Sequence, residues 1–357
     1  MSVPAVEKER MSSVHPRAIV LHGEISPEAP PDEQDTLLQA EAIADSLGRL
    51  GFAVDRLTAT LDLDRLRREL LARSPGLVFN LVESLGGSGR LIPFVPALLD
   101  ELDIPYTGVP TPGLFLTSHK ILAKRMLARH GIATPDWIEA RDAACALAAG
   151  HSRRWILKSV WEHASLGMDD AAVVRLSDGD VPMSERLAAK MRRHGGEWFA
   201  ELYIEGREFN ISLVEEPGGP GVLPLAEIAF ESFPEDKPRI VSYRAKWEPD
   251  SFEYRHTVRR FPDFTGNAEA ERLGARLRSL ALDCWGVFAL RGYARVDVRL
   301  DEGGTPWVLE VNANPCLAPD AGLTAAAAEA GMDFDRLIAT VVAAARAAHP
   351  EIPGHRR

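Results

Sequence analysis

Residues 293–312 read YARVDVRLDEGGTPWVLEVN. Two runs of alternating apolar and polar residues flank a Gly-Gly pair, the pattern of an antiparallel hairpin. If Gly303 and Gly304 form a two-residue loop, where both positions tolerate positive φ, Asp297 faces Glu310 and Arg295 faces Asn312. All four then project from one face, because strand positions two apart share a face. Opposed carboxylates repel, so a cation belongs between them. Asp, Glu and an amide carbonyl offer only oxygen ligands, which suits a hard ion such as Mg²⁺ rather than zinc, and Mg²⁺ keeps positions open for phosphate and water. The alternative is a surface ladder in which Arg295 and Arg299 neutralise the acids. A bulge near Pro306 would shift the register, and geometry alone leaves both readings open.

The chain has 357 residues, 46% hydrophobic and 26% charged, enough for two or three globular domains. A net charge of −11 argues against nucleic-acid binding by phosphate neutralisation, while small anions can still meet local basic clusters. Cys145, Cys284 and Cys316 match neither a disulfide framework nor a zinc site, which fits a reducing cytoplasm. No run approaches the roughly 20 apolar residues of a membrane span. Residues 1–16 read as a disordered tail rather than a secretory signal.

From residue 17 to 112, β-rich runs alternate with helical periodicity: RAIVLHG, a helix ending at Gly51, FAVDRL, a helix around Leu66 and Leu70, GLVFNLVE, a helix through Leu98, and IPYTG. This βαβ order implies a parallel sheet, with the loops HGEISPEAPPDEQD and VESLGGSGR as walls of a site at its carboxyl edge. TGVPTPG marks a boundary before a second domain, 113–196, in which Thr117 or Ser118 caps a helix through Met126. There WILKSV and AAVVRL flank a polar turn. The third domain, 197–350, holds the strands WFAELYI, REFNISLV and VLPLAEIAF, a helix from Ala268 to Cys284, the hairpin and two C-terminal helices.

A metal of this kind implies a polyanion. Lys158 ends an apolar strand before a turn whose N–H groups can cradle phosphate, although a strand-end Lys is usually solvated. Lys120 in SHKILAK reads equally as a helix-surface residue, and Glu201 and Glu208 as solvated acids. The collinear order of GLVFNLVE, IPYTG, HKILAKRMLARHGIATP, WILKSVWEHASLGM, ELYIEGREFNISL, YRAKW, YARVDVRL and LEVNANP resembles the ATP-grasp superfamily, and within it the D-alanine–D-alanine ligases, over most of the chain.

The resemblance implies an α/β, three-domain ATP-grasp architecture, with an N-terminal Rossmann-like sheet and ATP held between two α+β domains. Lys120 and Lys158 would hold the phosphates under a loop through Ser165 and Gly167. Glu201, Tyr203 and Ile204 would line the adenine site, Glu208 would bond the ribose, and Lys246 would approach the γ-phosphate. Asp297, Glu310 and Asn312 would hold magnesium, as two ions sharing Glu310, with manganese as an alternative. Arg295 would face the reacting carboxyl, helped by a backbone N–H around Cys316. The implied reaction joins small-molecule carboxylate and amine substrates through an acyl phosphate, in a chain that forms homodimers. The competing readings are an authentic D-alanine–D-alanine ligase and a catalytically silent nucleotide-binding module.

The departures cluster at the substrates. The family's amine-binding Glu has no match in HGEISPEAPPDEQD, where Glu24, Glu28 or Glu33 could substitute. Ala164 replaces the first Ser of the phosphate loop, Trp247 a Tyr, Cys316 a Gly, and Ala321 the Ser that receives a substrate carboxylate. Asp320 binds an amine or guanidinium, or caps the helix that begins near Gly322. These changes imply retained nucleotide chemistry with substrates other than D-alanine.

Overall fold

The computed structural model describes residues 15–26, 28–142, 153–162, 165, 167–175 and 181–349. The expected tail up to residue 14, Cys145 and Ala164 fall outside them. Strand β1 (Arg17–Gly23) lies between β2 (Ala53–Ala59) and β3 (Leu77–Asn80), all parallel. Both faces of β1 are buried, which is why it reads as an unbroken apolar run rather than an alternating one. IPYTG adds only a single bridge, Val78 to Tyr106, instead of a full strand. Helix α1 (Pro31–Arg49) opens on a proline with Asp32 and Glu33 in its first turn, where fixed φ and negative charge both suit a helix start. The last five residues of the presumed loop HGEISPEAPPDEQD, Pro31 to Asp35, are therefore helix.

The helix expected from Thr117 or Ser118 starts at Lys120, and a further helix precedes it. Helix α2 (Leu63–Arg73) connects β2 to β3, helix α3 (Phe94–Glu101) follows the sheet, and then α4 (Thr111–Ser118) and α5 (Lys120–Arg129) meet at an extended His119. His119 is the cap, its ring nitrogen accepting from Leu122 N–H at 3.3 Å, while Thr117 and Ser118 close the preceding helix. TGVPTPG runs into α4, whose first turn holds Thr111 to Gly113 with a proline among them. In α5, Lys120 and Lys124 stand one turn apart and share a face.

A second sheet is antiparallel, in the order β4 (Trp137–Glu139), β7 (Trp198–Leu202), β5 (Arg154–Ser159), β6 (Val173–Arg175), with α6 (Met183–His194) packed on it. A third follows β11 (Thr257–Arg260), β10 (Ala226–Phe230), β8 (Arg207–Glu216), β12 (Tyr293–Leu300), β13 (Pro306–Asn312), and β9 (Gly219–Val222) pairs with β8. VLPLAEIAF is split between β9 and β10. Behind this sheet lies α9 (Ala268–Val287), whose first N–H groups are accepted by Asn267.

The last two helices, α10 (Gly322–Glu329) and α11 (Phe334–Ala348), close back on the first sheet. Leu337, Ile338 and Val341 of α11 share one core with Val20 and Phe79 of the N-terminal strands and with Tyr293 of β12. That common core ties the first sheet to the third and sets the acidic start of α1 opposite the end of β13. No helix among the described residues is long and apolar enough to cross a membrane.

In the hairpin Arg295 pairs with Asn312 and Asp297 with Glu310, as expected. The turn is different. Asp301 N–H donates to the Thr305 carbonyl at 3.0 Å, leaving three loop residues with only Gly304 at positive φ, +77°. The Asp301 carboxylate holds this turn through Thr305 N–H at 2.7 Å and Trp307 Nε1–H at 2.8 Å. A register shift beyond Asp297, not at Pro306, then restores the expected pairs, because Val298 faces Val308 and Leu309 is the extra residue.

Candidate active site

One cleft of about 710 Å³ runs between the second and third sheets, and the first sheet's loops close one end. Of the site candidates singled out above, these line it: Lys120, Lys158, Ser165, Glu201, Tyr203, Ile204 and Glu208; Lys246 and Arg295; Asp297, Glu310 and Asn312; Cys316 and Asp320. They come from separate elements, so their meeting is a product of the fold.

At the hairpin, Asp297 accepts two bonds from Arg295, at 2.7 and 2.9 Å, and one each from Asn210 and Asn312, at 3.0 Å. Glu310 lies 3.3 Å from Lys120 Nζ, which also donates to the Glu162 carbonyl at 2.7 Å. Burial opposes the charge of Arg295, but Asp297 and Glu310 outweigh it and push its pKa up. Arg299 does not join this set. It pairs with Glu208 at 2.5 Å in the buried interior, so the expected arginine ladder fails in that half.

Two carboxylates and an amide that can turn its oxygen inward form a hard-ion donor set, and so the residues present fit Mg²⁺. No three His, Cys, Asp or Glu side chains group as a metal site among the described residues, because the third donor here is Asn312. Arg295 and Lys120 supply the positive charge that the facing acids require.

Deeper in the cleft the Glu201 carboxylate, 1% exposed, lies between Lys158 at 2.5 Å and Lys124 at 2.7 Å. Burial alone would raise its pKa, but the two ammonium groups reverse the shift and hold it down. The Tyr203 hydroxyl accepts from Arg239 N–H at 3.0 Å, and its ring packs under the Arg154 guanidinium, 4.7 Å from the ring centre.

Lys246 is carried by α7 (Tyr243–Trp247), which Ser242 caps through Ala245 N–H. Burial and then Arg295 push the Lys246 pKa down, against Asp297 and Glu310. The segment is stitched on two sides. Ser165 Oγ donates to the Val241 carbonyl at 2.9 Å, and the Tyr243 hydroxyl donates to Asp32 at 2.9 Å. Ser165 and α1 thus converge on the segment bearing Lys246. Ser165 and Gly167 both stand in the left-handed region, φ +63° and +64°.

At the far end Glu24, Glu28 and Glu33 are exposed and outside the cleft, so none of them is the substituting acid. The carboxylates that reach it are Asp32, Asp35 and Glu83. Burial, then Asp35 and Asp32, push Glu83 up to about 7, with Lys246 acting against them. Asp35, also raised by burial, accepts from Cys316 Sγ at 3.1 Å. Burial and Asp35 raise the Cys316 thiol in turn, so it stays protonated and is no nucleophile. Asp320 does not cap the next helix: the cap position of α10 is Ala321, with no side-chain bond, and Asp320 stays exposed at the rim, where Arg259 reaches its carbonyl at 3.4 Å.

Lys124, Arg259, Asp35 and Glu83 were missed by residue-level reading, and Arg299 was read only as part of a surface ladder. The signals were present but weak: Lys124 is one turn from Lys120, Glu83 ends GLVFNLVE, and Asp35 ends HGEISPEAPPDEQD.

Residues 174–343 match the family described as D-ala D-ala ligase C-terminus. The D-alanine–D-alanine ligase of Halorhodospira halophila is 30% identical over 272 residues, covering 76% of this chain and 79% of that protein. The chain belongs to the D-alanine–D-alanine ligase family, of ATP-grasp fold. Within this family the ligase of Aquifex aeolicus is 28% identical over 333 residues, 91% of this chain and 99% of its own. The uncharacterized protein y4sG of Sinorhizobium fredii is 30% identical over 271 residues, covering 75% and 74%. The crystal structure of the Bacillus anthracis D-alanine–D-alanine ligase complexed with ATP shares the fold, with a TM-score of 0.66 at 20% identity over 94% of this chain and 99% of that one.

Proposed function

We propose that this D-alanine–D-alanine ligase-like chain joins a carboxylate to an amine with ATP, releasing ADP and phosphate. The observation that carries the reading is the convergence of Lys246 and Arg295 on the face that bears Asp297, Glu310 and Asn312. A carboxylate is a poor acyl donor because oxide would have to leave. Attack of its oxygen on the γ-phosphorus breaks the bond to ADP and gives an acyl phosphate, whose leaving group is phosphate. Lys158 and Lys120 hold the nucleotide phosphates, and Lys246 meets the charge that develops on the transferred group. Asp297, Glu310 and Asn312 would hold Mg²⁺, which when bound neutralises phosphate oxygens. The amine nitrogen then attacks the acyl carbon, Arg295 stabilises the oxyanion, and the C–O bond to phosphate breaks. Lys246 and Arg295 serve this chemistry more than adenine binding, which favours an enzyme over a silent nucleotide-binding module.

The substrate pair differs from two D-alanines in this reading. Its support is the acidic wall of Asp32, Asp35 and Glu83, together with Cys316 and Ala321 at positions where the family pattern has Gly and Ser. Phosphate release from ATP should be followed across pairs of amino acids, with products identified by mass spectrometry. Release with particular carboxylate and amine pairs is expected. Turnover of D-alanine alone that rivals every other pair would return the chain to D-alanine–D-alanine ligation, and no release with any pair would leave only the binding module.

A further inference from the structure

Lys124 is 1% exposed, yet it lies one turn from Lys120 on a helix that faces the nucleotide cleft. An ammonium has three donors, and here it meets three oxygens: Thr134 Oγ1 at 2.9 Å, the Pro135 carbonyl at 2.9 Å and Glu201 Oε2 at 2.7 Å. Thr134 in turn donates to the Val308 carbonyl of β13 at 2.9 Å, two residues before Glu310. The other Glu201 oxygen takes Lys158 at 2.5 Å. Lys158 is the member of the group that lines the cleft beside Glu201, and Lys124 does not line it.

The charges explain the arrangement. A carboxylate that held Lys158 alone would fix its direction but cancel its charge, leaving a neutral pair where phosphate must bind. With Lys124 on the second oxygen, two ammonium groups and one carboxylate leave one net positive charge, and the exposed end of the group is Lys158. We propose that Lys124 is a positioning residue of the phosphate site: it neutralises Glu201, so that Glu201 aims Lys158 while Lys158 still presents a positive charge to the phosphates of ATP. The assignment rests on the ATP-dependent reading above.

The test is calorimetric titration of the full chain with ATP, with inorganic tripolyphosphate and with adenosine. In wild type, ATP and tripolyphosphate should both bind. Lys124→Met, which keeps the volume and removes the charge, should weaken both by about tenfold or more, with adenosine changed by less than about twofold. Lys124→Met/Glu201→Gln removes both buried charges and frees Lys158, so tripolyphosphate affinity should recover to within about threefold of wild type. A residue that merely supported the fold would show no such recovery. The assignment is overturned if Lys124→Met leaves tripolyphosphate binding unchanged, if adenosine is lost in parallel, or if the double variant binds tripolyphosphate no better than the single one. The double variant reads the same quantity if Lys124→Met alone fails to fold, and a tenfold loss there overturns the assignment by itself. A wild-type chain that binds neither ATP nor tripolyphosphate defeats the ligase reading as well, whereas wild-type binding with any of the other outcomes defeats this assignment alone.

Discussion

The two ends of the cleft are built on opposite electrostatic plans. At the hairpin end acids meet bases: Asp297 with Arg295, Glu310 with Lys120, Glu208 with Arg299, and Glu201 with two lysines. At the other end acids meet acids, and burial, then Asp35 and Asp32, push Glu83 up to about 7. A compensated end is organised before anything binds, as positioning of a polyanion requires. An uncompensated end leaves negative charge for the substrate to satisfy, which suits an amine. On the proposed reading, the difference teaches that groups with fixed partners would carry the nucleotide chemistry, while groups without enough of them would carry the choice of substrate.

The largest expected effect breaks the first plan. Glu310→Gln removes charge with little volume, so Mg²⁺-dependent turnover should fall by roughly two to three orders of magnitude, with the circular dichroism spectrum unchanged. Near-normal turnover would refute the metal assignment. Leu337→Ala touches neither end, since Leu337 is fully buried under the shared core. It should lower the unfolding free energy in urea by about 2–5 kcal/mol while activity per folded molecule is kept. A selective loss of activity in that variant would show that the core also sets the cleft.

The acidic end can be tested through its proton. The folded chain holds the Glu83 proton up to about pH 7, whereas an unperturbed carboxyl releases it near 4.5. Between these values the folded state binds more protons, so the unfolding free energy should fall as pH rises. Glu83→Gln should flatten that fall in urea titrations at several pH values, and an unchanged slope would count against a buried, acid-crowded Glu83. The smallest effect concerns the link between the ends. Tyr243→Phe removes the bond to Asp32, worth about 1 kcal/mol, and should raise a substrate KM by roughly fivefold with kcat nearly kept. A fall in kcat alone would place Tyr243 with the reacting groups.

The hairpin shows how much was legible beforehand and by what route. Its facing pairs were read correctly from an assumed two-residue loop, yet the turn itself was not. Three loop residues and an extra residue at Leu309 offset each other, because Asp301 gathers the turn around its own carboxylate. His119 displaced Thr117 and Ser118 as a helix cap because a ring nitrogen can serve where the chain is already extended. Glu24, Glu28 and Glu33 were plausible substitutes only as long as HGEISPEAPPDEQD was all loop. Once α1 starts at Pro31, the helix turns Asp32 and Asp35 toward the cleft and leaves Glu33 outside.

Local pattern by itself determined the order of strands and helices, the α/β class and the pairing of Asp297 with Glu310, because periodicity and turn residues act over a few positions. The collinear motifs carried the family. Only the tertiary structure decided that Lys124 shares Glu201 with Lys158, that Arg299 belongs to Glu208, and that Glu83 is crowded by the acids of α1. Those partners are separated by 43 to 91 positions along the chain, and their charges are set by burial and by one another, which no local pattern encodes.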